Sequence, residues 1–485
     1  MKLYHYYLRF LEGYIDKVSE KTGYNLGSNK LIRMSRQAIL IAEILSPVPI
    51  VVSAYLHSII ILLLSLGFLS FVHLLPLAYA YSRSKEYDLV VNKATIYIAM
   101  SAYVLTLTGK DLLTALRTMA HKGDKVSQVE SQVVETKMRL FGKSLTDAVK
   151  DRLNSLKGTY LSELYSLYLT TKELGLSMAS RLENFIKDLI NEIEAKEESR
   201  VSFLTELNEV VLITFLMFPI MAIGFSFLGT TNYSLLMIPL LTAPGLYLMI
   251  SENTIAPQVK LSLSWYEKAL LAVFFLLSAL IVLFKLNFSL VIILFGLLVA
   301  LPIHTRHYAV AERIFMLQPA LLSALGDQLK LGYNVRESWE RAVSYLERVD
   351  KSVRKIASPE GAKEMHFVSD IWRLAQIAYE GSYYAIYDEM SRVANKLVSI
   401  YKTYQRKVRP LLALALLAPA FLLYTVHTFL SISSGINEYE LSLLIGLNLF
   451  ALTALYSKAV KGTPFYFPLY LLIGLESLIL SVLWL

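Results

Sequence analysis

Val210 to Leu228 reads VVLITFLMFPIMAIGFSFL, nineteen residues without one ionisable side chain. At 1.5 Å per residue such a helix measures about 28 Å, close to the ~30 Å hydrocarbon core of a bilayer. A stretch this uniformly apolar is read as a membrane span. Eight further stretches of similar length place the remaining spans at Gln37 to Leu56, Ser58 to Tyr81, Tyr233 to Ile250, Tyr266 to Phe284, Leu286 to Ile303, Leu411 to Ser431, Glu440 to Tyr456 and Phe465 to Leu485. A chain of 485 residues that is 55% hydrophobic and only 18% charged, with mean hydropathy +0.49, is too apolar for soluble domains of that size. Composition and spans together predict an all-α, polytopic membrane protein with about nine transmembrane helices.

Charge orients the spans. Lys and Arg number seven in Met1 to Arg36, eighteen in Ser82 to Asn208, two in Ser251 to Lys268, one at Lys285, seventeen in His304 to Arg409 and two in Ser457 to Pro464. With nine spans and a cytoplasmic N-terminus, all 47 except Lys285 lie inside, as the positive-inside rule asks. The short outer loops Thr230 to Asn232 and Ile432 to Tyr439 carry no Lys or Arg. The expected location is the cytoplasmic membrane of the cell, with the C-terminus outside. Met1 to Arg36 lacks the short charged start and cleavage site of a signal peptide, so the first span is expected to be retained. Absence of cysteine excludes disulfides, thiolate metal sites and cysteine nucleophiles.

Six segments result: 1–36 cytoplasmic, 37–81 with spans one and two, 82–208 as a first cytoplasmic domain, 209–303 with spans three to six, 304–409 as a second cytoplasmic domain, and 410–485 with the last three spans. The 127 residues of Ser82 to Asn208 contain no proline, which favours uninterrupted helix. Glycines recur there every 33 residues, at Gly109, Gly142 and Gly175, each followed two residues later by Asp111, Ser144 or Ser177. Glycine in the left-handed conformation closes one helix, and the Asp or Ser beyond it caps the next by accepting backbone N–H bonds. The apolar spacing repeats as well: GKDLLTAL from Gly109, GKSLTDAV from Gly142 and, in the other domain, GYNVRESW from Gly332. These hairpins predict six helices, Glu86 to Thr108, Asp111 to His121, Val126 to Phe141, Ser144 to Asn154, Tyr160 to Leu174, and one from Ser177 that continues into the membrane. Tetratricopeptide repeats share a similar period, but their Trp, Gly-Tyr and Pro positions are missing.

The interval His304 to Arg409 reads as a shortened, diverged copy, with hairpins at Gly332 and Gly381 and a looser turn at Ser358-Pro359-Glu360-Gly361. Its seventeen basic and twelve acidic residues make it more basic than the first domain, which has eighteen against seventeen. Acidic partners or anionic lipid heads are expected against it.

Candidate chemistry is sparse. Gly142-Lys143-Ser144 resembles the end of a phosphate-binding loop, but position 137 is lysine where that loop needs glycine, and the preceding segment is helical. A capped hairpin explains Gly142 better. His304, His307 and Glu312 have a spacing that could serve a metal, with solvated or lipid-facing histidines at a membrane exit as the plainer reading. Glu43, His73, His427 and Glu476 are the ionisable residues in the interior of the spans, and Glu476 lies near mid-span. A carboxyl there must be protonated, paired or turned to a cavity, and a hydrogen bond to a neighbouring helix is expected. Ser46-Pro47-Val48-Pro49, Pro239 and Pro244-Gly245 could interrupt spans as transporters do. No catalytic residue, cofactor site or metal site is assigned.

The order of parts, paired spans, a proline-free domain with Gly-x-[Asp/Ser]-Leu-x-x-Ala hairpins, more spans, a second such domain and terminal spans, resembles the platform membrane proteins of archaeal type IV pili and archaella, homologous to the F-domain proteins of type II secretion. The likeness covers nearly the whole chain. It implies a non-enzymatic platform beneath a filament, engaging a hexameric secretion ATPase on the cytoplasmic side and extracting pilin subunits from the lipid bilayer. A homodimer is a further partner class, and nucleic acid is not expected. Lys110, Lys143 and Arg336, near hairpin turns, are the basic positions offered for an ATPase-facing surface. A helix from Ser177 through Leu228 would carry a cytoplasmic push as a lever. A permease is the alternative, and a membrane-bound enzyme or signalling protein comes third.

Overall fold

A computed structural model describes residues 2–23, 59–227, 234–250, 263–357, 365–380, 384, 386–432 and 438–484, and they are helical with no β-strand among them. The segment expected to hold the first span falls outside the described residues, as do Gly381 and the turn at Ser358 to Gly361. Among the described residues six helices are long and apolar enough to cross a membrane: Tyr79–Leu107, Met178–Ala222, Trp265–Leu283, Ser289–Met316, Ile386–Thr425 and Leu441–Lys461. Two shorter apolar helices are Met237–Met249 and Phe467–Leu483. This is compatible with a multi-pass membrane protein. In Trp265–Leu283 only 17% of the apolar window is buried within the protein, and Phe275, Leu276 and Leu283 stand out from it. Water would penalise such a face, whereas lipid does not.

The chain divides into two compact units. The first comprises Met1–Leu189 with Arg373–Tyr383, the second Ile190–Trp372 with Tyr384–Leu485. In the first, the order is α1 (Lys2–Lys21), α2 (Ile59–Leu107), α3 (Leu112–His121), α4 (Lys125–Phe141), α5 (Leu145–Ser155), α6 (Tyr160–Glu173) and the start of α7 (Met178–Leu212). Turns with positive-φ glycine fall at Gly109, Gly142 and Gly175, the steps of the 33-residue spacing, and also at Gly123 and Gly158 between them. The expected break between a span ending at Tyr81 and a helix starting at Glu86 is absent: α2 is one helix of 49 residues, because Ser82-Arg83-Ser84-Lys85 offers neither glycine nor proline to stop it. The core of this unit is built from Ile98 and Ala102 of α2, Leu116 of α3, Val134 of α4 and Leu161 and Leu164 of α6.

The second unit takes over α7 at Ile190. It adds α8 (Ser234–Met249), α9 (Trp265–Leu283), α10 (Ser289–Met316), α11 (Gln318–Lys330), α12 (Val335–Glu347) and a 3-10 turn at Lys351–Ile356. It also holds the first half of α13 (His366–Glu380), then α14 (Ile386–Ile432), α15 (Glu438–Lys461) and α16 (Phe467–Trp484). Pro239 and Pro244 do not interrupt a span but sit inside the continuous α8. Elsewhere proline leaves a mark. A π-helical turn at Ile213–Met217 precedes Pro219, and another at Phe295–Ala300 precedes Pro302. A proline ring clashes with the carbonyl four residues back, here Phe215 and Leu298, and each wide turn contains that carbonyl.

Packing within the second unit relies on small residues and aromatics. A Cβ on Gly474 of α16 would come within 2.7 Å of the Ile293 side chain, so α10 and α16 approach closely because glycine stands there. Phe295 lies edge-on to Phe274 and Phe450 at centroid distances of 5.5 and 5.0 Å. Trp339 of α12 is fully buried, donates its Nε1–H to the Ile356 carbonyl at 2.9 Å and meets Trp372 in a T-shaped contact.

Candidate functional site

The turns carry the residues that sequence singles out. Gly109, Gly142, Gly175 and Gly332 have φ of +79°, +62°, +64° and +89°. A side chain would meet no atom within 4 Å at any of them, so their need for glycine is conformational. Asp111 accepts from the Thr114 amide at 2.8 Å, Ser144 from Asp147 at 3.1 Å and Asn334 from Glu337 at 2.9 Å, as expected of helix caps. Ser144 is therefore an N-cap.

Around the three turns of the first unit the chain leaves apolar side chains in solvent. Leu107, Leu140, Phe141, Leu174 and Leu176 are 41% to 77% exposed. Helix reversal after each turn puts these turns at one end of the bundle, and Asp111 is close enough to raise the Tyr168 phenol, behind the larger effect of burial. Lys110 is exposed at this end, and Lys143 pairs with Asp151. That hydrogen bond holds the Asp151 carboxyl below its usual range. In the second unit Arg336 is 86% exposed and among the described residues pairs only with Glu340 one turn on, a contact of little energetic weight.

A second constellation, which sequence reading missed, lies at the centre of the first unit. Arg152 of α5 and Glu130 of α4 are both completely buried. Arg152 donates from Nε and Nη2 to the two Glu130 oxygens at 2.8 and 2.7 Å, a bidentate pair. Its Nη1 and Nη2 also donate to the carbonyls of Glu20 and Lys21 at 2.9 and 2.7 Å. Those carbonyls end α1, where no intrahelical partner exists. Tyr87 of α2 and Tyr165 of α6 donate their hydroxyls to Glu130 at 2.7 and 3.0 Å. Burial disfavours charge on Arg152, but the adjoining carboxylate outweighs this and raises its pKa. Burial, followed by the field of Glu130, pushes the Tyr165 phenol well above 10. The Arg152–Glu130 pair thus ties α1, α2, α4, α5 and α6 together. Lys21–Asp88 at 2.6 Å and Lys137–Glu20 at 2.9 Å flank it. The only sequence signal was an arginine on the apolar side of a short amphipathic helix.

Arg373 in the same unit closes the turn between α3 and α4. It donates to the carbonyls of Lys122 and Gly123 at 3.2 and 3.0 Å and approaches Asp124 at 3.4 Å, while Lys122 meets Glu380 at 2.6 Å.

The histidines of the second unit differ from expectation. His304 and His307 are neither solvated nor lipid-facing but buried, because a π-helical turn at His304–Tyr308 rotates both inward. His307 Nε2 lies 3.0 Å from Glu267, whose other oxygen completes a capping box with Ser264 at the start of α9. Glu312 is held by Lys461 at 3.0 Å and by Gln405 at 2.8 Å. No group of three or more His, Asp or Glu among the described residues is placed to hold a metal ion. Glu476 also departs from expectation: among the described residues it has no hydrogen bond to a neighbouring helix, and it is partly exposed. His427 is exposed, and the side chains of Glu43 and His73 fall outside the described residues.

Comparison with protein-family models, curated proteins and solved structures gives no match.

Proposed function

We propose that this chain is a multi-pass platform of the cytoplasmic membrane, with about nine spans and two cytoplasmic helical domains, in a type IV pilus-like filament machine. In this reading it has no catalytic role. It couples a hexameric cytoplasmic ATPase to the extraction of pilin subunits. The observation that carries it is the helical run that begins with α7 at Met178 and continues through the π-helical turn at Ile213–Met217 to Ala222, passing from polar to apolar sequence. A helical run of 45 residues, about 68 Å long, can carry a displacement along its axis. Support also comes from the exposed leucines and Phe141 at the hairpin end, which offer a soluble partner an apolar surface.

Within that lever the π-helical turn at Ile213–Met217 is the natural point of yield. Two glycines placed between Glu206 and Val210 should soften the junction just before it and abolish assembly. Deleting the gene and imaging surface filaments tests the reading directly. Loss of filaments with pilin retained in the membrane is the expected outcome. Normal filaments in the deletion strain would overturn it. Addition of the full-length chain, in nanodiscs, should also stimulate ATP hydrolysis by the purified ATPase, and Phe141→Asp should reduce that effect.

A further inference from the structure

Glu476 is half-buried, at the edge of the outward face of α16. It lies about 12 to 14 Å from the two ends of α16, on the reading that this helix is membrane-embedded. Leu472, Leu475, Ile479 and Leu483, spaced at i, i+3, i+7 and i+11, are 47% to 70% exposed, and Glu476 flanks the stripe they form. The opposite side of the helix, with Leu469, Tyr470, Ile473 and Ser477, is packed within the second unit. Among the described residues nothing donates to the Glu476 carboxyl. Hydrocarbon supplies no hydrogen bond, and an ionisable group at mid-depth is costly there unless a partner meets it. Lipid alone is therefore a poor cover for this face.

We propose that α16 pairs with α16 of a second copy of the chain, and that the two Glu476 carboxyls, both protonated, hydrogen-bond each other across the two-fold axis. Charge and depth single out this partner. Every copy inserts with the same orientation, so a second copy presents the same group at the same depth, and a carboxylic acid is both donor and acceptor. Each O–H donates to the carbonyl oxygen of the other, leaving neither a charge nor an unpaired proton in hydrocarbon. Leu475, Ile479 and Leu483 beside Glu476 form a ridge of four-residue spacing, which interdigitates with the same ridge of a second helix at a crossing angle of about −50°.

The absence of native cysteine makes the test direct. Single substitutions Leu475→Cys and Ile479→Cys lie on the proposed seam, and Leu276→Cys of α9 is an outward-facing control, 60% exposed. In native membranes, oxidation or a short bismaleimide should give covalent dimers of the two seam variants and not of the control. Adding Glu476→Leu to Ile479→Cys should lower the dimer fraction on the order of tenfold, while Glu476→Gln, whose amide also donates and accepts, should keep it. Seam variants that cross-link no more than the control, or a Glu476→Leu chain that dimerises as well as the parent, would overturn the pairing. An aqueous maleimide separates the layers of the argument. If it fails to label Ile479→Cys and no dimer forms, the pairing alone is wrong. If it labels that cysteine as readily as one placed at Lys110, α16 is not embedded and both readings fall.

Discussion

Replacing Arg152 by alanine is the sharpest test of how the first unit is held. The change removes two hydrogen bonds to Glu130 and two to the carbonyls that end α1. Glu130 would remain fully buried, with only the hydroxyls of Tyr87 and Tyr165 facing it. Removing one member of a buried ion pair costs about 3–5 kcal/mol, chiefly because the other charge is stranded. For a unit of about 200 residues, each kcal/mol lowers the midpoint by roughly 2–4 °C, so a fall of about 6–20 °C is expected. Thermal unfolding of the full chain in nanodiscs, followed by near-ultraviolet circular dichroism, measures it. Trypsin cleavage after Lys21 reports release of α1. The double variant Arg152→Met with Glu130→Leu should lose less than Arg152→Ala, since no charge is left without a partner. A midpoint shift below about 2 °C for Arg152→Ala, or a double variant costing the sum of its singles, would refute the lock.

Three further outcomes follow from the same geometry. Tyr165 has a raised pKa in the folded chain, so its stabilising contribution is complete below about pH 10 and is lost as pH climbs towards the folded value. Tyr165→Phe should cost about 1 kcal/mol at neutral pH yet shift alkaline unfolding of the unit upward, as read by tyrosinate absorbance and circular dichroism together. Gly142→Ala places a side chain at φ +62° with nothing to collide with, so the penalty is backbone strain of about 1–2 kcal/mol, and Gly142→Asn should cost less in the same melting assay. Arg373→Ala, which frees the carbonyls of Lys122 and Gly123, should raise amide hydrogen exchange at that turn while leaving the Arg152 layer protected.

Much of the helical outline was legible because its determinants are short-ranged. The bounds of α3, α4, α5 and α6 agree with expectation within a residue or two, since a positive-φ glycine and a cap one or two residues later act over one turn. Gly123 and Gly158 also close helices at positive φ, and the 33-residue spacing passed over both because they fall between its steps. Reading α2 as two helices failed because composition changes at Tyr81 while the backbone has no reason to break. Their place near a span end predicts solvated or lipid-facing rings for His304 and His307. Only the widened turn before Ala309 shows that their rings point inward.

By itself the sequence determined an all-helical, strongly apolar chain, the hairpin glycines and the caps that follow them. Each of these depends on hydrophobic length or on bonds between residues a few positions apart, which are written locally. Tertiary structure alone decided that Arg152 holds the end of α1, residues 131 and 132 positions earlier, and that Glu476 lies beside an unpaired stripe. A guanidinium reads the same in sequence whether it is solvated or completely buried. What distinguishes the two is the set of chain segments that close around it, and that is settled only when distant helices pack.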